Sequence, residues 1–97
     1  MHQSFPLIIC AQQELDYLKD ESDLESFLFN LDENQKNQVI LIAKNGQHFD
    51  LNNNQLAPLS DTDLAKRVTQ HLTQEGICCL SKVTRLTTQQ AFSLLES

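Results

Sequence analysis

The N-terminal hydrophobic segments have the pattern of two short β-strands. Residues 5–10 form an apolar run of high β propensity that is interrupted only by a proline. In residues 14–18 apolar and polar side chains alternate, so Leu15 and Tyr17 share one face and the two acidic residues share the other. The short polar segment between the two runs completes a predicted hairpin that turns one face toward water.

A helix is predicted from Ser22, because the Ser22 hydroxyl and the Glu25 carboxylate have the spacing of a capping box. Asp20, Glu21 and Asp23 surround the start of this helix, where the positive end of its dipole favours anions. The apolar positions form one stripe with helical spacing. They are Leu24, Phe27, Leu28 and Leu31.

The central part of the chain predicts a second hairpin. Residues 39–43 are apolar and largely β-branched, as expected for a strand that is covered on both faces or lies at the centre of a sheet. The Asn-Gly pair at 45–46 favours a two-residue turn, which makes residues 47–51 the returning strand. Alternation along that strand predicts that Phe49 points inward and His48 points outward.

The C-terminal half contains two predicted helices and one strand. After an irregular connector at 52–58, a helix is predicted from the capping residue Ser60 to Gly76, which suits a left-handed helix end. Residues 77–80 have the composition of a buried strand. The last helix is predicted to begin at Thr87.

The order of these elements, ββαββαβα, predicts the α+β fold class. We expect a mixed or antiparallel five-stranded sheet with helices mainly on one face, and strand 77–80 is expected beside strand 39–43. The chain has 97 residues, of which 40% are hydrophobic. Because a chain of this length supports one core, residues 1–97 are predicted to form a single domain.

Acidic residues are concentrated near the N-terminus. The chain has a net charge of −6, whereas residues 1–35 contain eight acidic residues and a single basic one, Lys19, for a local net charge of −7. The rest of the chain is nearly neutral. We call six of these acids the acidic lobe: Glu14, Asp16, Asp20, Glu21, Asp23 and Glu25.

The acidic lobe has three interpretations. A solvated face that maintains solubility is the commonest role of such residues. A docking surface for a basic protein partner comes next, because charge complementarity accelerates encounter, and mimicry of nucleic-acid phosphates ranks last. Nucleic acid and membranes are not expected partners, because phosphate binding needs clustered Lys or Arg contacts and no apolar run approaches the ~20 residues of a membrane span.

The three cysteines predict free thiols in a cytoplasmic protein. Their number and spacing match neither a disulfide framework nor a zinc ligand set, so no metal and no other cofactor is expected. The alternative is a thiol-dependent site, redox-active or metal-binding, in which His71 and Lys82 activate Cys78 or Cys79. The competing interpretation is that these cysteines are small buried packing residues.

No catalytic residues are predicted. The acidic pairs at 20–21 and 61–63 lie at predicted helix starts, where stabilisation of the helix explains them. Both glycines have structural positions, one in a hairpin and one at a helix end, so neither is left for a phosphate-binding loop. These absences remove the usual grounds for proposing an enzyme.

Several segments together resemble a small proteobacterial family of unknown function. The segments are Phe5-Pro-Leu-Ile-Ile9, Glu14-Leu-Asp-Tyr17, Asn45-Gly46, His71 and Gly76-Ile-Cys-Cys-Leu-Ser-Lys82. The resemblance covers nearly the whole chain. It implies a single small α+β domain with no assigned activity, cofactor or partner, and it carries over no catalytic residues.

The functional hypothesis from the sequence is a small cytoplasmic binding or regulatory module without enzymatic activity, which docks a protein partner through the acidic lobe. The alternative from another class is the thiol-dependent protein that uses Cys78 or Cys79 with His71. A third possibility is a small-molecule pocket between the helices and the sheet. The identity of a partner and the oligomeric state stay open.

Overall fold

The computed structural model describes residues 5–12, 14–76 and 83–96. No helix within these ranges has the length and apolar character that crossing a membrane requires. In chain order the described elements are β1 (Leu7–Ala11), β2 (Glu14–Leu18), α1 (Glu21–Phe29), α2 (Glu33–Lys36), β3 (Val39–Ala43), β4 (His48–Phe49), β5 (Gln55–Leu56), α3 (Asp61–Gln74) and α4 (Thr88–Glu96).

The five described strands form one sheet in the order β2-β1-β3-β4-β5. All four pairings are antiparallel, so the predicted α+β class with a five-stranded sheet is confirmed. The fifth strand is β5, within the segment that was predicted as an irregular connector. The predicted strand 77–80, and with it the proposed pairing to β3, lies outside the described residues.

A turn organised by Asp50 explains why β5 forms. The Asp50 carboxylate accepts hydrogen bonds from the backbone N–H groups of Asn52 and Asn54, each at 2.9 Å. Asn53 has the left-handed backbone conformation, with φ of 68°, which asparagine tolerates better than most residues. The hydrogen bonds from Asn54 hold the pKa of Asp50 below its usual value. The polar segment is therefore a tight reversal between two short strands.

Each face of the sheet is covered by its own hydrophobic cluster. On one face, side chains such as Ile8 and Ile42 pack with α3 and α4. On the other face, Leu7 and Leu41 pack with the apolar side of α1. Strand β1 is buried along its whole length, because it pairs with a strand on each side and has helices above and below.

The prediction that His48 points toward water is wrong. It was expected to point outward, but only 2% of its surface is exposed. Its Nδ1 lies 2.9 Å from the carbonyl oxygen of Gly46 and hydrogen-bonds to it. The physical reason is that both faces of the sheet are covered, so alternation along β4 separates two buried layers rather than core from water.

The helix starts follow capping chemistry, although one cap was misassigned. The Ser60 hydroxyl accepts from the N–H of Asp63 at 3.1 Å, as the sequence predicts. In contrast, α1 is capped by Asp20 rather than Ser22, because the extended backbone at Asp20 directs its carboxylate at the first turn. A capping box also starts the short helix α2.

Candidate functional site

Two carboxylates of the acidic lobe have local structural roles. Asp20 Oδ1 accepts a hydrogen bond from the N–H of Asp23 at 3.0 Å. Asp23 Oδ2 accepts one from the N–H of Lys19, also at 3.0 Å. These bonds fix the connection between β2 and α1. Asp20 and Asp23 therefore contribute negative charge to the surface and also hold the helix start in place.

The other four members of the acidic lobe leave most of their charge open to solvent. Glu14, Glu21 and Glu25 are exposed, and Asp16 is half-buried. The ion pairs within the described residues lie elsewhere: Lys44 with Glu96, Arg67 with Asp63, and His71 with Glu75. Across the part of the chain that the structure describes, no member of the acidic lobe forms an ion pair.

A groove of about 330 Å³ runs along β2, and we call it the edge groove. Three consecutive residues of β2 line this groove. Successive side chains of a strand point to opposite faces of the sheet. A groove that contacts three residues in a row must therefore lie at the edge of the strand. One wall comes from α1 and the other from the end of α3. The lining residues are Glu14, Leu15, Asp16, Phe27, His71, Gln74 and Glu75.

His71 lines the edge groove. It is half-buried on α3, and its Nε2 lies 3.8 Å from Glu75 Oε1. The other members of the predicted thiol site, Cys78, Cys79 and Lys82, lie outside the described residues. The structure thus brings His71 next to the acidic lobe, which sequence reasoning missed. The spacing of His71 and Glu75, four residues apart, indicates only their own contact at the end of α3.

The buried thiol of Cys10 is unsuited to nucleophilic chemistry. Only 1% of Cys10 is exposed. Burial raises the pKa of its thiol to about 11, and the nearby charges of Arg67 and Asp63 have smaller, opposing effects. Within the described ranges, no three His, Cys, Asp or Glu side chains gather closely enough to hold a metal ion. Cys10 is a packing residue of the α3 and α4 face.

The low reactivity of Cys10 gives a direct prediction. In a C78A/C79A variant, which leaves one thiol, alkylation by iodoacetamide at about pH 8 should be at least about 100-fold slower in the folded protein than in urea. A pKa of about 11 in place of 9.0 lowers the thiolate fraction by roughly that factor, and burial slows access further. The measurement is the time course of labelling by mass spectrometry. Equal rates in the two conditions would contradict the buried position.

A cluster of polar side chains joins α4 to the sheet. The Tyr17 hydroxyl donates to Glu96 Oε2 at 2.8 Å, and Lys44 Nζ lies 2.9 Å from the same oxygen. The Tyr17 and Phe92 rings meet edge to face at 6.2 Å, and Lys44 Nζ lies 5.9 Å from the centre of the Phe92 ring. Partial burial and the bond to Glu96 raise the pKa of Tyr17 to about 12.

Comparison with known proteins places the chain in a family. The chain matches DUF4144, described as a protein structure with unknown function, over residues 5–95. It also resembles a solved NMR structure of a protein from Shewanella amazonensis, with a TM-score of 0.54 and 24% sequence identity over 95% of this chain and 86% of that one. This likeness concerns the fold. No curated protein matches the chain.

The predicted resemblance to a small family of unknown function is confirmed by the family match, which covers almost the whole chain. The Cys-Cys segment that contributed to the resemblance lies outside the described residues. The match begins at Phe5 and extends into the last helix. The chain therefore belongs to the DUF4144 family.

Proposed function

We propose that this protein is a small, single-domain cytoplasmic binding or regulatory module without enzymatic activity, and that its acidic lobe docks a basic segment of a protein partner. The observation that carries the proposal is the absence of an ion pair for any of the six carboxylates within the described residues. A cluster of like charge attracts an oppositely charged partner and directs its approach.

The distribution of the charge supports docking over simple solvation. The acids lie on two consecutive elements, β2 and the start of α1, instead of being spread over the surface. They also adjoin the edge groove, which contains the apolar side chains of Leu15 and Phe27. A surface that combines charged and apolar side chains gives a partner both steering and contact area.

The test reverses charges that are not needed for the fold. Asp20 and Asp23 bind backbone N–H groups, so we choose E21K/E25K in their place. We expect proteins recovered from a native lysate at low salt to bind this variant about tenfold or more weakly, because each reversal converts attraction into repulsion. The measurement is quantitative mass spectrometry of the bound proteins at low and moderate salt.

The matched control is E33K/D61K, which changes the net charge equally. Glu33 and Asp61 are first-turn acids of their helices, as Glu21 is in α1. This control should keep the bound proteins, because its charges lie outside the acidic lobe. If every recovered protein binds E21K/E25K as well as the control, the acidic lobe is not the docking surface.

The thiol-dependent alternative is not favoured by any observation on the described residues. Its cysteines, Cys78 and Cys79, lie outside those residues, and His71 faces the carboxylates of the edge groove. The role of these two cysteines as packing residues stays a prediction, and selective labelling of one of them in the folded protein would count against it.

A further inference from the structure

We propose that docking at the acidic lobe occurs by strand addition, in which an extended, lysine- or arginine-rich segment of the partner pairs with the outer edge of β2. This inference rests on the proposed function and specifies how the partner is held. In strand addition the backbone hydrogen bonds supply affinity, while the alternating side chains of the added strand supply specificity.

The outer edge of β2 is open in the described structure. β2 is the outermost strand of the described sheet and pairs with β1 on its inner side. The N–H of Tyr17 donates to the carboxylate of Asp16 at 2.8 Å, so it points away from β1. Because outward and inward groups alternate along an antiparallel strand, the backbone groups of Leu15 point outward as well. Leu15 and Tyr17 are thus the positions that an added strand would meet.

The edge groove provides room at this position. Its floor is β2 from Glu14 to Asp16, and its walls are Phe27 of α1 and the last turn of α3. A strand that enters the groove would place alternate side chains against the two walls. Phe27 would contact the side chains on one wall, and His71 and Glu75 would face those on the other.

Charge complementarity selects the chemistry of the added strand. Carboxylates lie on the floor of the groove, at Glu14 and Asp16, and on one wall, at Glu75, the residue that follows α3. Lysine and arginine side chains suit this arrangement, since their apolar stems can cover Leu15 and Phe27 while their charged ends reach the carboxylates. A second copy of this chain would bring identical acids together, and like charges on facing strands repel. The occupant is therefore a basic segment of another protein.

Asp16 has a specific role in this mode of binding. In the free protein its carboxylate accepts a hydrogen bond from the outward N–H of Tyr17. This bond occupies a backbone donor through which other strands could pair nonspecifically with the exposed edge. On binding, a carbonyl oxygen of the added strand would accept the hydrogen bond from the N–H of Tyr17 in place of the Asp16 carboxylate. The released carboxylate of Asp16 would then be free to pair with a cationic side chain. One hydrogen bond is exchanged for another, and the partner gains an ionic contact.

The experiment uses two capped peptides of equal length and equal positive charge, one of alternating lysine and valine and one of lysine and proline in alternating pairs, Lys-Lys-Pro-Pro. Proline cannot donate backbone hydrogen bonds. Because the paired prolines occupy both inward and outward positions of a strand, the set of residues that faces β2 lacks half its donors in either register. We expect the lysine-valine peptide to bind at least about tenfold more tightly. In its complex, NMR should show that amide hydrogen exchange at Leu15 and Tyr17 slows at least about tenfold. A peptide of alternating glutamate and valine should not bind.

The outcomes separate this inference from the proposed function. If both lysine peptides bind equally well and the two amides exchange as in the free protein, docking is electrostatic only and strand addition is wrong. If neither lysine peptide binds, strand addition is also wrong, and the lysate experiment with E21K/E25K still decides the proposed function. Tighter binding of the lysine-valine peptide with slowed exchange at Leu15 and Tyr17 supports strand addition.

Discussion

Replacing Phe92 with alanine is expected to lower the free energy of unfolding by about 3–5 kcal/mol. Only 1% of Phe92 is exposed, and it is the largest fully buried side chain among the described residues. It lies where α4 meets the sheet, next to the Tyr17 ring and beneath Lys44. Removing its ring deletes hydrophobic contacts and leaves a cavity. A domain of this size has a total stability of roughly 5–15 kcal/mol, so F92A would lose a large part of it.

The chain offers a matched control in Phe29, which ends α1 and is 88% exposed. F29A makes the same chemical change at the surface, where the expected effect is within about 0.5 kcal/mol. Urea unfolding followed by circular dichroism measures both variants. F92L retains part of the side chain and serves if F92A does not fold. Equal losses for F92A and F29A would mean that α4 does not pack on the sheet as described.

Tyr17 is expected to titrate at a pH about two units higher in the folded protein than in the unfolded chain. Its pKa is raised from 10.0 to about 12, first by burial and then by the adjacent carboxylate of Glu96, which disfavours a second negative charge. The chain contains one tyrosine, so the phenolate absorbance reports this residue alone. The measurement is a spectrophotometric titration with and without urea.

The raised pKa also has a defined consequence for stability. A group whose folded pKa exceeds its unfolded value contributes stability that is complete below the unfolded pKa and is lost as pH rises through the folded one. For Tyr17 this loss falls between about pH 10 and pH 12. The E96Q substitution removes the carboxylate charge. The pKa of Tyr17 in the folded variant should therefore move toward 10, while burial keeps it above that value. A folded wild-type pKa of about 10 would show that Tyr17 is not held against Glu96.

These two predictions test the packing of α4, and they leave the acidic lobe unchanged. Phe92 and Glu96 belong to α4, whereas the charge reversals of the docking test lie on α1. A variant such as E21K/E25K that loses its partners can therefore be checked for its tyrosine titration. An unchanged titration would show that the α4 side is intact and that the loss of binding is local to the acidic lobe.

Local sequence chemistry determined most of the elements and the position of the negative charge. The Ser60 cap and the helical stripe that follows it act through neighbouring residues, and the structure contains the helix that they predict. The hairpin predicted at Asn45-Gly46 is also present. Its loop has three residues, 44–46, instead of the predicted two, because Ala43 pairs with Gln47 and Asn45 does not have the positive φ that a two-residue Asn-Gly turn needs. The acidic lobe is a property of composition, since its members are close together in the chain. Where two capping residues compete within one segment, as at Asp20 and Ser22, the pattern alone assigned the wrong one.

Only the tertiary structure decided which elements meet. Placing β1 between β2 and β3 makes β2 an edge strand among the described residues, and no spacing along the chain specifies that order. The burial of His48 depends on helices covering both faces of the sheet. The edge groove exists because α3 ends beside β2, which brings His71 to Glu14 across more than half the chain. Such contacts arise from packing between distant segments, which local periodicity and capping do not encode.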